Sequence, residues 1–123
     1  MTAFPVKTNK ENSAISPLFG KAKYFAFYDG ENLSIEENLC NGGGQVVDWF
    51  IQKGVDKMVI KEMGIKPYKK TQNSNIKIFY SGDERVLTND LIEKINSNGL
   101  KELDEKEMLS IIKKHESSHT HSH

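Results

Sequence analysis

The sequence predicts an α/β domain in which one mixed β-sheet is covered by helices. The first part of the chain contains alternating aromatic and small residues on either side of a turn, which is typical of a β-hairpin. The later part alternates helical patterns with short apolar runs, which is typical of parallel strands joined through right-handed helical crossovers. These two patterns together predict the mixed sheet.

The first half of the chain supplies three predicted strands. Residues 3–7 (AFPVK) are expected to form a short strand, and Pro5 is expected to confine it to an edge or an end, because proline cannot donate to a β-ladder. In the segment KYFAFYDGENLSIEE, successive side chains alternate in type on both sides of a turn at Asp29-Gly30. This pattern predicts a hairpin.

The middle of the chain predicts two helices and two buried strands. A helix over about Gln45–Lys53 carries apolar residues four apart and ends at Gly54, which suits a left-handed C-cap. The runs VDKMVI and IKIFY are short and apolar, as buried strands are. Between them, GIKPYKKTQNS predicts a short helix with Pro67 in its first turn.

Two more helices are predicted near the C-terminus. Thr88 is placed as the N-cap of one, and Asp104 with Glu107 resembles a capping box for the other. The last nine residues, HESSHTHSH, lack apolar side chains and are expected to be disordered. We therefore divide the chain into a domain at 1–103, a C-terminal helix at 104–114 and a disordered His-rich tail at 115–123.

Composition excludes several classes of protein. Seventeen basic residues balance seventeen acidic ones, so no net charge favours nucleic acid or an anionic membrane as a partner. One cysteine cannot form an internal disulfide, no apolar run approaches a membrane span, and the N-terminus lacks the apolar centre of a signal peptide. We expect a soluble, cytoplasmic protein without membrane or nucleic-acid partners, and the oligomeric state stays open.

The segment CNGGGQVVDWF, from Cys40 to Phe50, carries the most specific local signal. Three consecutive glycines before a helix allow the backbone N–H groups to turn outward and bind an anion at the positive end of the helix. A thiolate at Cys40 beside that helix end is expected to have a lowered pKa and to be a soft metal ligand. An anionic metal–sulfur cluster fits both features. Alternatively, the glycines form an ordinary loop and Cys40 is a small buried hydrophobe.

Other candidate residues carry weaker signals. All four histidines lie in the last nine residues and could chelate a borderline metal, or could be part of an expression tag; they are His115, His119, His121 and His123. With no histidine expected in the folded body, no general base is evident and ordinary acid–base catalysis is disfavoured. The lysines that follow the strand ending at Ile60 would add positive charge around an anionic guest; they are Lys61, Lys66, Lys69 and Lys70.

Three blocks occur in an order and spacing that resemble a known family. They are ISPLFGKAKYFAFYD, GGGQVVDWFIQKGVDKMVIKEMGIKPYK and NIKIFYSGDERVLTNDLIEKINSNGL. Together they cover roughly residues 3–101 and resemble the dinitrogenase iron–molybdenum cofactor biosynthesis family, small domains related to nitrogenase cofactor carriers. The resemblance implies a ribonuclease H-like fold with a mixed five-stranded sheet. It also implies non-catalytic binding of an iron–molybdenum cofactor precursor or another metal–sulfur cluster during cofactor assembly for nitrogen fixation.

The same resemblance implies a set of cluster-facing residues, namely Cys40, Gly42, Gly43, Gly44, Met63, Gly64, Ser16 and Phe19. Two segments differ from the family pattern. Cys40-Asn41 stands where relatives tend to have a histidine, and Glu62 and Lys66 stand in the second loop. Glu62 is expected to need neutralisation by Lys61 or Lys66 if an anionic cluster binds beside it.

Three hypotheses follow for the function. The first is a non-enzymatic carrier of a metal–sulfur cluster, with cofactor-assembly proteins as further partners. The second is a cluster-free interaction module of the same fold, which would bury Cys40 and expose an apolar patch. The third is a nuclease-like hydrolase, which would need carboxylates converging on one metal.

Overall fold

A computed structural model describes residues 1–120, and the side chains of residues 1–117. The domain contains five strands and four helices. In chain order these are β1 (Thr2–Val6), β2 (Tyr24–Tyr28), β3 (Leu33–Glu37), α1 (Gly43–Lys53), β4 (Lys57–Ile60), α2 (Ile65–Gln72), β5 (Lys77–Tyr80), α3 (Thr88–Asn96) and α4 (Glu105–Thr120).

The five strands form one mixed sheet in the order β3-β2-β1-β4-β5. β2 pairs antiparallel with β1 and β3, whereas β4 pairs in parallel with β1 and β5. The predicted hairpin is confirmed, and Asp29 Oδ1 fixes its turn by accepting the amides of Glu31 at 2.9 Å and Asn32 at 2.7 Å. The predicted α/β architecture is therefore correct.

β1 lies in the centre of the sheet, so an edge position for this strand was a wrong expectation. Its parallel pairing with β4 involves Thr2 and Ala3, which face Lys57 and Met58. Pro5 is the second-last residue of the strand and lies beyond those two pairs. The sheet tolerates the proline because its missing N–H falls past the paired part of the parallel ladder.

Each face of the sheet supports its own core. Side chains alternate along β2, so that Phe25 and Phe27 enter one core while Ala26 and Tyr28 enter the other. Three helices cover the first face, and α3 covers the second with Leu91 at its centre. The first core takes its helical residues from α1, α2 and α4, namely Val46, Val47, Phe50, Tyr68, Met108 and Ile112.

The helix ends agree with the predictions in two cases and differ in one. Gly54 takes the left-handed conformation after α1, with φ of 80°. Asp104 and Glu107 form the reciprocal capping box of α4, with distances of 2.8 and 3.1 Å. Thr88, however, is the first helical residue rather than the N-cap, because its buried hydroxyl donates to the Ser13 carbonyl at 2.6 Å.

α4 is longer than the sequence predicted. The predicted helix stopped at residue 114, but α4 continues to Thr120, so the first part of the proposed disordered tail is helical. Residues 121–123 lie outside the described part of the chain. The helix is held to the first core by Met108, which is 1% exposed, and by Ile112 one turn later. Over residues 1–120, no helix has the length and apolar character needed to cross a bilayer.

Candidate functional site

A cleft of about 960 Å³ lies between the N-terminal ends of α1 and α2, and we call it the α1–α2 cleft. The glycine segment Gly42–Gly44 and Gly64 contribute its backbone, and Lys66, Lys70 and His115 are among its side chains. Two glycine loops that are 20 residues apart in the sequence are thus brought to one place, since each precedes a helix on the same face of the sheet.

The start of α1 depends on glycine at two positions, and the second of them sets the spacing of α1 and α2. Gly42 has φ of 98°, a backbone conformation that side-chain-bearing residues rarely adopt. A Cβ on Gly43 would lie 2.8 Å from Pro67 Cγ on α2 and 3.3 Å from Phe19 Cδ2 beneath the loop. The absence of a side chain therefore lets the first turn of α1 contact the first turn of α2 directly.

Both helices present uncapped N-termini to the cleft. The N-cap residues are Gly42 and Gly64, and neither end has a side-chain capping hydrogen bond. The first bonds of the i→i−4 ladder are donated by Val46 to the Gly42 carbonyl and by Tyr68 to the Gly64 carbonyl. The N–H groups of the residues before these two donors have no acceptor within their helix. They form the positive ends of the two helix dipoles, as in an anion-binding site.

The charges around the cleft are mixed, with cations on the α2 side. Neither α1 nor α2 has an acidic residue in its first turn. Lys66 and Lys70 line the cleft from α2, and the Lys70 ammonium pairs with Asp48 at 2.6 Å. Glu116 adds one negative charge from α4.

Glu62 is paired with a histidine, not with the lysines expected from the sequence. Glu62 Oε1 lies 3.3 Å from His115 Nδ1. The ammonium of Lys61 instead donates to the Asp83 carbonyl at 3.0 Å. The His115 ring also borders the cleft, since its Nε2 lies 3.7 Å from the Cβ position of Gly64. A carboxylate on one imidazole nitrogen orients the ring, an arrangement seen around metal-binding histidines.

His115 therefore belongs to the folded body, where the sequence analysis expected no histidine. The helical pattern Met108, Ile112, His115 continues the buried face of α4 and was the signal that could have placed it. The side chain of His119 and residues His121 and His123 lie outside what the structure describes. Within the described residues, no group of three or more His, Cys, Asp or Glu side chains is arranged to hold a metal ion.

Cys40 lies beside the cleft but does not line it. It borders a neighbouring pocket with Asn41 and Gly42, and it packs partly against the first core. Burial raises the pKa of the Cys40 thiol, and the Asp48 carboxylate raises it further. The expected lowering of this pKa by the helix end was wrong, because partial burial and the nearby carboxylate dominate.

The remaining predicted site residues lie at two places, the first core and a separate pocket. Met63 is 1% exposed and belongs to the first core. Phe19 is also buried and supports the glycine segment from below through the contact with Gly43. Ser16 lines a separate pocket at the ends of β1 and β4. The structure thus brings together Gly42–Gly44, Gly64 and His115, and leaves the other residues outside the cleft.

Comparisons with known proteins agree with this fold. The sequence profile of the family described as dinitrogenase iron-molybdenum cofactor matches residues 1–98. A NifB-like protein from Thermotoga is 25% identical, with a TM-score of 0.70 over 83% of this chain and 91% of that chain. No curated protein matches the sequence.

Two further solved structures are similar in fold alone. The apo form of the orange protein from Desulfovibrio gigas is 13% identical, with a TM-score of 0.72 over 83% of this chain and 91% of that chain. A dinitrogenase-like protein from Methanocaldococcus jannaschii is 18% identical, with a TM-score of 0.63 over 84% and 93%. Because the family profile covers most of the sequence, the chain belongs to the dinitrogenase iron–molybdenum cofactor family.

Proposed function

We propose that this protein binds an anionic metal–sulfur cluster in the α1–α2 cleft and carries it as cargo, without catalysing a reaction on it. The iron–molybdenum cofactor and its precursors are the cluster class that the family implies. Cofactor-assembly proteins would deliver and accept the cargo in the cytoplasm during nitrogen fixation. We also assign the five-stranded mixed sheet to the ribonuclease H-like class, which its order supports.

The observation that carries the proposal is the pair of uncapped helix N-termini. α4 caps its own amides through Asp104 and Glu107, whereas α1 and α2 have glycine N-caps and no acidic residue in the first turn. Amides left without side-chain caps on two convergent helices can donate to bridging sulfides and favour negative charge. Lys66 adds positive charge on the α2 side, whereas the Lys70 ammonium is paired with Asp48.

A side chain of a metal-coordinating type lies on either side of this amide cradle. His115 borders the cleft with its ring oriented by Glu62. Cys40 is next to the glycine segment, but its raised pKa makes the thiolate less available near neutral pH. We therefore propose His115 as the first donor and Cys40 as the second. One or two such ligands would hold a cluster loosely, which suits cargo that must be released.

Gly64 allows a direct test, because it is an extended N-cap with φ of −85° and ψ of 172°. Asparagine or aspartate fits this conformation, and the nearest atoms to an added Cβ are 3.7 Å away. Either side chain can accept the Lys66 amide as a normal N-cap. Gly64→Asp also places a negative charge in the cleft, while Gly64→Asn is its neutral and nearly isosteric control.

The reduced full-length protein would be titrated with tetrathiomolybdate and with isolated iron–molybdenum cofactor, followed by visible absorption and amide NMR shifts. We expect saturable binding that shifts Gly42–Gly44, weakens in Gly64→Asn and weakens at least about tenfold more in Gly64→Asp, as a like charge beside the anion would cause. His115→Gln and Cys40→Ala would identify the donor by a change in the metal–ligand absorption. Equal binding by the wild type and both Gly64 variants, or no saturable binding, would contradict the proposal. Either result would favour the interaction-module hypothesis instead.

A further inference from the structure

A second pocket, of about 130 Å³, lies at the carboxyl ends of the parallel strands, and we call it the strand-end pocket. Its polar side chains are Lys7, Ser16, Lys61, Ser81, Glu84 and Arg85. None of these residues lines the α1–α2 cleft. The proposed carrier function therefore leaves this pocket without a role.

The position of the pocket follows from the sheet topology. Lys7, Lys61 and Ser81 each come directly after a strand, namely β1, β4 and β5. These three strands are adjacent and run in parallel, so their last residues meet at one edge. Open α/β sheets bind ligands at this carboxyl edge, where backbone and side chains converge outside the ends of the strands.

Two mostly buried serines line the pocket with their hydroxyls. Ser16 is 5% exposed and Ser81 is 4% exposed. Ser16 Oγ accepts the Leu18 amide at 3.1 Å, which leaves its hydroxyl proton for another acceptor. The Ser81 hydroxyl makes no hydrogen bond to any residue within the described part of the chain. Since no fully buried side-chain nitrogen or oxygen of the described residues lacks a partner, the Ser81 hydroxyl is open to the pocket, where it can donate to a ligand.

The charged side chains around these hydroxyls are mostly cationic. Lys7, Lys61 and Arg85 oppose the single carboxylate of Glu84. Lys61 uses one of its three ammonium protons for the Asp83 carbonyl, which fixes its position and leaves two protons for a ligand. Three cations and two hydroxyl donors against one carboxylate match an anion that accepts several hydrogen bonds.

We propose that the strand-end pocket binds a small tetrahedral oxyanion, the class to which phosphate, sulfate and molybdate belong. An anion with four oxygens around one central atom is small enough to enter this pocket. Ser16 and Ser81 donate to two of its oxygens, and Arg85 and Lys61 neutralise its charge. This anion site is separate from the cluster cleft and does not depend on the cluster proposal.

Amide NMR titrations of the full chain at low ionic strength would test the site with sodium phosphate, sulfate and molybdate in turn. Sodium nitrate, a planar monovalent anion, is the reference. We expect saturable shifts at Ser16, Ser81 and Arg85 with the tetrahedral anions and none with nitrate. The three parallel titrations also show whether one of the tetrahedral anions is preferred.

Two variants test which side chains of the strand-end pocket contribute to anion binding. Ser81→Ala removes a hydroxyl that has no protein partner and is expected to leave the fold intact while weakening binding about tenfold, as for a hydrogen bond to a charged group. Arg85→Gln is expected to weaken binding and to flatten its dependence on salt. Lys113→Gln, at an exposed lysine on α4, is the matched charge control.

The outcomes separate the two proposals. Gly64→Asp is expected to leave oxyanion binding unchanged, because it alters only the α1–α2 cleft. Absence of saturable shifts with all three tetrahedral anions would overturn the oxyanion site. The oxyanion site would also be overturned if both Ser81→Ala and Arg85→Gln bound the anions with wild-type affinity.

Discussion

Replacing Gly43 with alanine should destabilise the protein, although alanine normally favours a helix. The new Cβ would lie 2.8 Å from Pro67 Cγ and 3.3 Å from Phe19 Cδ2, closer than the 3.5–4.0 Å or so at which carbon contacts are favourable. Relieving such overpacking costs about 1–3 kcal/mol. The higher helix propensity of alanine offsets only about 0.8–1.0 kcal/mol of this cost. We expect a net loss of up to about 2 kcal/mol for Gly43→Ala.

Gly44→Ala is the matched control one residue later in the same turn. Its Cβ would meet Lys70 Cε at 3.5 Å, an ordinary contact with a flexible side chain. The substitution should therefore stabilise the protein by about 0.4–1 kcal/mol by restricting the unfolded chain. The two variants then differ by about 2 kcal/mol, or roughly 8 °C in Tm for a domain of this size.

Urea and thermal unfolding would measure the difference. Trp49 is the single tryptophan and packs against Phe25 and Phe27, so its fluorescence reports on the first core. Circular dichroism of the same samples would establish whether both variants keep the wild-type helix content. Equal stability of Gly43→Ala and Gly44→Ala would refute the reasoning, because it would mean that α1 and α2 do not depend on their close contact.

Further predictions concern ionisable groups. Asp48→Asn should lower the raised pKa of the Cys40 thiol, measured as faster alkylation near neutral pH, and an unchanged rate would mean that burial alone controls this thiol. The hydrogen bond to Asp83 raises the pKa of Tyr80 to about 12, so in ¹³C NMR Tyr80 should titrate near pH 12, and Asp83→Asn should lower its pKa. The hydrogen bond from Lys101 holds the pKa of the Glu107 carboxyl below its ordinary value in the folded protein. The contribution of Glu107 to the free energy of unfolding should therefore be complete at a pH above the ordinary pKa, and be lost as the pH falls through the lower pKa of the folded state. Glu107→Gln should remove this part of the acid dependence of urea unfolding, and an unchanged pH profile would contradict it.

The sequence was sufficient for features that depend on neighbours along the chain. Alternation around Asp29-Gly30 predicted the hairpin, and Asp104 with Glu107 predicted the start of α4. The central position of β1 could not be predicted in this way, because it depends on pairing with β4 more than 50 residues later. Local rules for Pro5 therefore gave the wrong location in the sheet.

The candidate site shows the same division. The two glycine loops were identified locally, and their meeting in one cleft follows from helices placed on the same sheet face. The environment of Cys40 could not be read locally, since the glycine turn separates the thiol from the cleft and leaves it near Asp48. His115 was missed because the end of α4 was judged by the polar composition of the last residues rather than by the apolar face that Met108 begins.

The contact between Gly43 and Pro67 also has a consequence for how relatives of this protein vary. A larger residue at position 43 requires more space at position 67, so the two substitutions should interact strongly when combined. Relatives that carry a side chain at the position of Gly43 should accordingly lack proline at that of Pro67. The pair should therefore covary across the family, as residues in direct contact do.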